Sequence, residues 1–220
     1  MKTIRNFGLA LVVLASSAAA AIAADAGLIN HLSGDVSYTS GGTSAKAKPY
    51  MKVRAGDRFS VPSGGQVRIV YFQGGRQETF AGPAAFTAGS QQSTVHSGAQ
   101  PQVSTLPSGV PQKIAQTPEL IQIARLGRSG GVAVRGVNSD RRLTPQQQAE
   151  VKQAKATYEQ LRKASAADDI TPELYLYSVL QDHLLYKDMQ QVVAEMQKRQ
   201  PSNPDVAVMA DYVKVRNEPK

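Results

Sequence analysis

The residues with the strongest claim to chemistry are Gly127-Arg128-Ser129-Gly130-Gly131, the histidines His31, His96 and His183, and the acidic pair Asp168-Asp169. The first run matches G-x-S-x-G, which exposes a nucleophilic serine on a sharp turn from strand into helix. Here a helix-like segment comes before Ser129 and a strand-like one after it, so the order is reversed and the run reads as a linking turn. The histidines lie far apart in the chain and lack ligand spacing. The chain has no Cys, which removes thiolate nucleophiles, sulfur ligands and disulfides together. Asp168-Asp169 stand just before Thr171-Pro172, where negative charge suits the start of a helix. Glycine pairs at 41–42, 64–65, 74–75 and 130–131 are not followed by Lys-Ser or Lys-Thr, so they suit turns better than phosphate cradles. No catalytic, metal or cofactor site is expected.

Binding has better candidates than catalysis. The chain carries 25 Lys and Arg against 17 Asp and Glu, a formal charge of +8 over 220 residues. That balance favours anionic partners. Arg125, Arg128, Arg135, Arg141 and Arg142 concentrate it in one stretch and form a candidate docking patch. Tyr175 lies off the apolar stripe of its helix and is a candidate for the lining of a peptide groove.

The elements that must position these residues change character along the chain. Val53–Phe86 reads as short alternating strands cut by Gly and Pro. Its strongest strand is Gln66–Phe72, with Val67, Ile69 and Tyr71 on one face and Arg68, Val70 and Phe72 on the other. Apolar residues on both faces imply burial on both sides. Gln73-Gly74-Gly75-Arg76 is a hairpin turn, because paired glycines accept the positive φ that tight hairpins need. Gln91–Gln116 is rich in Ser, Gln, Pro and Gly and reads as a linker or extended arm.

After it, Thr117-Pro118-Glu119 opens a short helix that Gly127 ends, and Gly130–Gly136 reads as a strand. Thr144-Pro145, Thr171-Pro172 and Asn203-Pro204 repeat the same helix-start signal. Apolar stripes at helical spacing follow each one: Val151, Ala154, Tyr158 and Leu161; Leu176, Val179 and Leu180; Val206, Met209 and Val213. Met189, Val192, Val193 and Met196 supply another. Short connections make this an antiparallel helical array.

Residues 1–24 have the layout of a secretory signal peptide: Lys2 and Arg5, the apolar run Phe7–Ala15, then Ala21-Ile22-Ala23 as an A-x-A cleavage site. The expected mature chain starts near Ala24 in the periplasm, with no later membrane span and no nucleic-acid partner.

Gly34-Asp35-Val36, Ala55-Gly56-Asp57 and the run Val67–Gly75, VRIVYFQGG, together resemble the FecR domain over about residues 27–97. Gln73 stands where that family often has Asp. The resemblance implies an exported β-rich module of the kind found in periplasmic signal-relay and envelope proteins. The relay members carry a cytoplasmic segment and a transmembrane helix, which are not expected here. Thr171–Pro204 spans about the 34-residue period of tetratricopeptide repeats, with Pro201 and Leu176 at fitting positions, so the helices are TPR-like.

The resulting expectation is an α+β chain: signal peptide 1–24, a FecR-like antiparallel sandwich or short β-roll at 25–97, a linker with one short helix and strand at 98–143, and a TPR-like helical domain at 144–217. Its expected role is a non-enzymatic envelope scaffold for an envelope protein or anionic glycan. The alternatives are a periplasmic sensor that relays a signal to a membrane partner, and an enzyme acting on envelope glycans.

Overall fold

The computed structural model describes residues 24–128 and 142–217. The architecture is α+β, with strands first and helices after. Among the described residues, ten strands form two five-stranded antiparallel sheets. The first sheet contains β1 (Asp25–Ser33), β4 (Lys52–Arg54), β6 (Gln66–Tyr71), β7 (Arg76–Ala81) and β10 (Gln102–Thr105), in the order β10-β7-β6-β1-β4. The second contains β2 (Ser37–Ser40), β3 (Thr43–Lys46), β5 (Arg58–Val61), β8 (Ala84–Ala88) and β9 (Ser93–Ser97), in the order β3-β2-β5-β8-β9.

The two sheets pack face to face through the alternate residues of their strands. Val67, Ile69, Tyr71 and Phe80 of the first sheet meet Val36, Phe59, Val61 and Phe86 in one core. The rings of Phe80 and Phe86 stack with centroids 3.8 Å apart, and Phe59 extends the stack. The β6–β7 turn is the expected Gly74-Gly75 turn, with φ of 82° and 67°, which glycine adopts without strain.

The stretch read as a linker is instead largely structured. It holds β9, β10 and a short helix, α1 (Val110–Ile114). Residues 102–105 extend the first sheet by backbone pairing with β7. All of its side chains are exposed, so hydrophobic alternation leaves no trace of it.

Five further helices are α2 (Thr117–Arg128), α3 (Pro145–Ala164), α4 (Thr171–Asp182), α5 (Tyr186–Arg199) and α6 (Pro204–Asn217). Thr144 caps α3 in a capping box with Gln147, and Asn203 Oδ1 accepts from the N–H groups of Asp205 and Val206 at the start of α6. The other Thr-Pro starts work differently. Thr117 lies inside α2, where its buried hydroxyl has no partner among the described residues. At α4 it is Asp169 that accepts the N–H of Thr171, at 2.8 Å. Gly127 does not end α2, which continues to Arg128. The helices lie in the order α3-α4-α5-α6-α2, so α2 closes the array that was expected to begin at α3.

The array rests on the outer face of the first sheet. Leu28 and Tyr50 belong to the same apolar core as Ile114, Leu174, Val206 and Met209. β6 is therefore covered on both faces, as its composition predicts. Polar contacts cross the same boundary: Arg68 Nη1 donates to Asp169 Oδ2 at 2.7 Å, Asn30 Nδ2 to Thr171 Oγ1 at 2.8 Å, and Asn203 Nδ2 to the Tyr50 hydroxyl at 3.1 Å.

His31 sits beside Arg68 at this boundary, paired across β1 and β6. Burial and, secondarily, the Arg68 charge lower its pKa from 6.5, against opposing pulls from Asp168 and Asp169. The folded state thus disfavours the imidazolium. Its contribution to stability is present above pH 6.5 and is lost as pH falls toward the lowered value. Urea unfolding at pH 7.5 and 5.5 tests this. The wild type should lose more stability over that interval than His31→Gln, and equal losses would show that His31 does not titrate in this way.

A candidate peptide groove on the helical face

α4 is buried along almost its whole length, because α3 and α5 flank it and α1 lies behind. α3 and α5 stand apart over its outward side and leave a groove of about 550 Å3. Leu176 and Leu180 of α4 with Val192 of α5 make an apolar floor, and Tyr158 of α3 forms part of one wall. The i, i+4 spacing of Leu176 and Leu180 places both on the same side of α4.

Charged groups tie α3 and α5 together toward both ends of α4. At one end Lys155 of α3 reaches Asp188 of α5 at 3.3 Å. At the other, Glu173 is fully buried between two guanidiniums: Arg162 Nη1 and Arg199 Nε each lie 3.0 Å from its carboxylate. The Tyr158 hydroxyl donates to the same carboxylate at 3.3 Å. Burial and the Glu173 charge push the Tyr158 pKa up to about 12. Arg162 also donates to the Ala166 and Asp169 carbonyls and Arg199 to that of Ala167, which ties the α3–α4 loop to both helix ends.

The rim is net acidic although the chain is basic. Lys155 and Lys198 are paired with Asp188 and Glu195. Glu159 is exposed, lines the groove, and makes no ion pair among the described residues. The arrangement can hold an apolar segment along the floor and attract a cation at Glu159. It offers no nucleophile–base pair, and among the described residues no group of three or more His, Asp or Glu is gathered for a metal ion.

The candidates read from sequence fare unevenly. Tyr175 is only 9 % exposed and belongs to the core, not the groove. The single stripe assumed for α4 misled, since this helix has neighbours on several sides and buries residues off the stripe as well. Of the arginine cluster, Arg125 pairs with Asp205 and Arg142 is exposed. Arg135, Arg141, Ser129 and the expected strand 130–136 lie outside the described residues, as do residues 1–23 and the side chain of Arg128. His31, His96 and His183 lie apart: at the sheet–helix boundary, on β9 against Thr87, and beside Glu150. Sequence reading missed Glu159 and Glu173. Glu173 stands in the first turn of α4, and its partners come from two other helices, so nothing local marks it.

Glu173→Gln leaves two guanidiniums without their shared charge. Breaking a buried ion pair in this way costs about 3–5 kcal/mol. Urea unfolding should register a loss of that order; a loss below about 1 kcal/mol would show that the clamp contributes little. Comparison of the chain with family models, with curated proteins and with solved structures finds no match.

Proposed function

We propose that this is an exported, non-enzymatic binding protein of the cell envelope, whose helical array receives a segment of a partner protein. The observation that carries the reading is the groove between α3 and α5, with its apolar Leu176–Leu180–Val192 floor and, at its rim, Glu159 with no ion pair among the described residues. An amphipathic helix with apolar anchors at i, i+3 or i+4 and one Lys or Arg is the chemistry that fits it. Residues with the layout of a signal peptide and the FecR-like motifs support export and an envelope location. The TPR-like spacing supports a docking role for the helices. In this account the β-sandwich is the platform that holds α4 in place.

A photoreactive residue in place of Gln191, an exposed groove position, should crosslink one reproducible partner in the native envelope. The same residue at Thr94 on β9 should not. A peptide copied from the crosslinked segment should then bind the purified chain. Glu159→Lys removes an exposed pair worth up to about 1 kcal/mol and adds a repulsion of similar size. The expected weakening is roughly five-fold or more. Equal crosslinking from both positions, or unchanged peptide affinity in Glu159→Lys, would contradict the reading.

A further inference from the structure

A second cavity lies at one end of the sandwich, where turns from the two sheets meet. The β6–β7 turn contributes Gln73 and Gly74, the β8–β9 turn contributes residues 89–92, and Arg76 lies between them. The cleft measures about 510 Å3. It differs in kind from the helical groove, because its lining consists of amides, a hydroxyl, a guanidinium and glycine backbone.

Arg76 is held by a buried acid. Its Nε lies 2.6 Å from Glu78 Oε1, and the Glu78 side chain is 1 % exposed. The other carboxylate oxygen accepts the Ser93 N–H at 3.0 Å. Both oxygens of Glu78 are therefore engaged, and Oε1 holds the guanidinium at Nε. Nη1 and Nη2 of Arg76 make no hydrogen bond to the described residues, and the side chain is 36 % exposed. A guanidinium held at Nε still presents the N–H groups of Nη1 and Nη2, one from each of which can meet a carboxylate bidentately. Gln73, Gln91 and Gln92 surround it with groups that both donate and accept, which is what sugar hydroxyls require.

We propose that this cleft binds a saccharide that carries a carboxylate. The Glu78 charge directly behind Arg76 leaves the pair neutral, which favours a singly charged carboxylate over a phosphate dianion. The lining has no aliphatic or aromatic side chain on which an apolar ligand would pack. The chain's net positive charge, +6 without Lys2 and Arg5 of the expected signal peptide (23 Lys and Arg against 17 Asp and Glu), adds long-range attraction for an acidic glycan. The proposal extends the binding reading to a second ligand but does not rest on the groove, with which the cleft shares no residue.

The test uses the purified chain with N-acetylglucosaminyl-N-acetylmuramic acid, its carboxyl-reduced form, and trigalacturonate, read by calorimetry and by backbone amide shifts. The acidic sugars should bind and the reduced form should bind at least ten-fold more weakly. Shifts should concentrate at 73–76 and 89–92. Arg76→Lys retains a charge for Glu78 but loses the fork, and should weaken binding about ten-fold with thermal unfolding nearly unchanged. Gln91→Ala with Gln92→Ala, on an exposed turn, should weaken it several-fold, whereas Glu159→Lys should leave it intact. No binding of either acidic sugar at millimolar concentration, equal binding of the reduced form, full competition by equimolar inorganic phosphate, or unchanged affinity in both cleft variants would overturn the proposal. Loss of binding in Glu159→Lys would also overturn it, by placing the ligand in the groove.

Discussion

The ion pair between Arg68 and Asp169 is the constraint from which the rest of the architecture follows. Arg68 projects from the middle strand of the first sheet, on the face that the helices cover, and its side chain is only 13 % exposed. A guanidinium there needs a fixed counter-charge, because an unpaired charge out of water is strongly disfavoured. Asp169 supplies it with one carboxylate oxygen and uses the other to cap α4. One side chain thus neutralises the sheet and starts the central helix. The position of α4 relative to the sheet follows, and with it the floor of the groove. Asn30 to Thr171 and Asn203 to Tyr50 fix the same boundary at further points.

The clamp around Glu173 extends this order outward. The sheet places Asp169 and α4, and Glu173 in the first turn of α4 then draws Arg162 and Arg199 together. These arginines belong to the last turns of α3 and α5, where positive charge also suits the helix dipole. Both helices are therefore tied at one end and bridged by Lys155 and Asp188 near the other. Charged contacts that tie the flanking helices in this way preorganise the groove, and a segment docking there as proposed would meet a smaller ordering penalty. The cleft at Arg76 follows the same logic on a smaller scale, with buried Glu78 as the fixed acid.

Elements whose signal is local were legible in the sequence. The alternation in Gln66–Phe72 gave a central strand with both faces buried, and Gly74-Gly75 gave its turn. Thr144-Pro145 and Asn203-Pro204 marked helix starts that cap as expected. What was hidden depends on distant partners. β10 has four exposed side chains and exists by backbone pairing to β7, so no hydrophobic pattern announces it. Arg68 and Asp169 are 101 residues apart, and nothing local marks either as the other's partner. Tyr175 was misjudged because a helical stripe reveals one buried face, whereas α4 is enclosed on several. The groove residues were each visible as helix positions, but their convergence required the order of the helices.

The claim on which the account stands is that sheet and helices form one cooperative unit through the Arg68–Asp169 boundary. Native-state hydrogen exchange in low concentrations of denaturant measures this directly. Amides in the middle of β6 and of α4 should converge on the same opening free energy as denaturant rises, because one cannot open without stranding the charge of the other. If α4 exchanges through a separate opening of much lower free energy while β6 stays protected, the helical array is an independent unit and the sheet does not hold the groove.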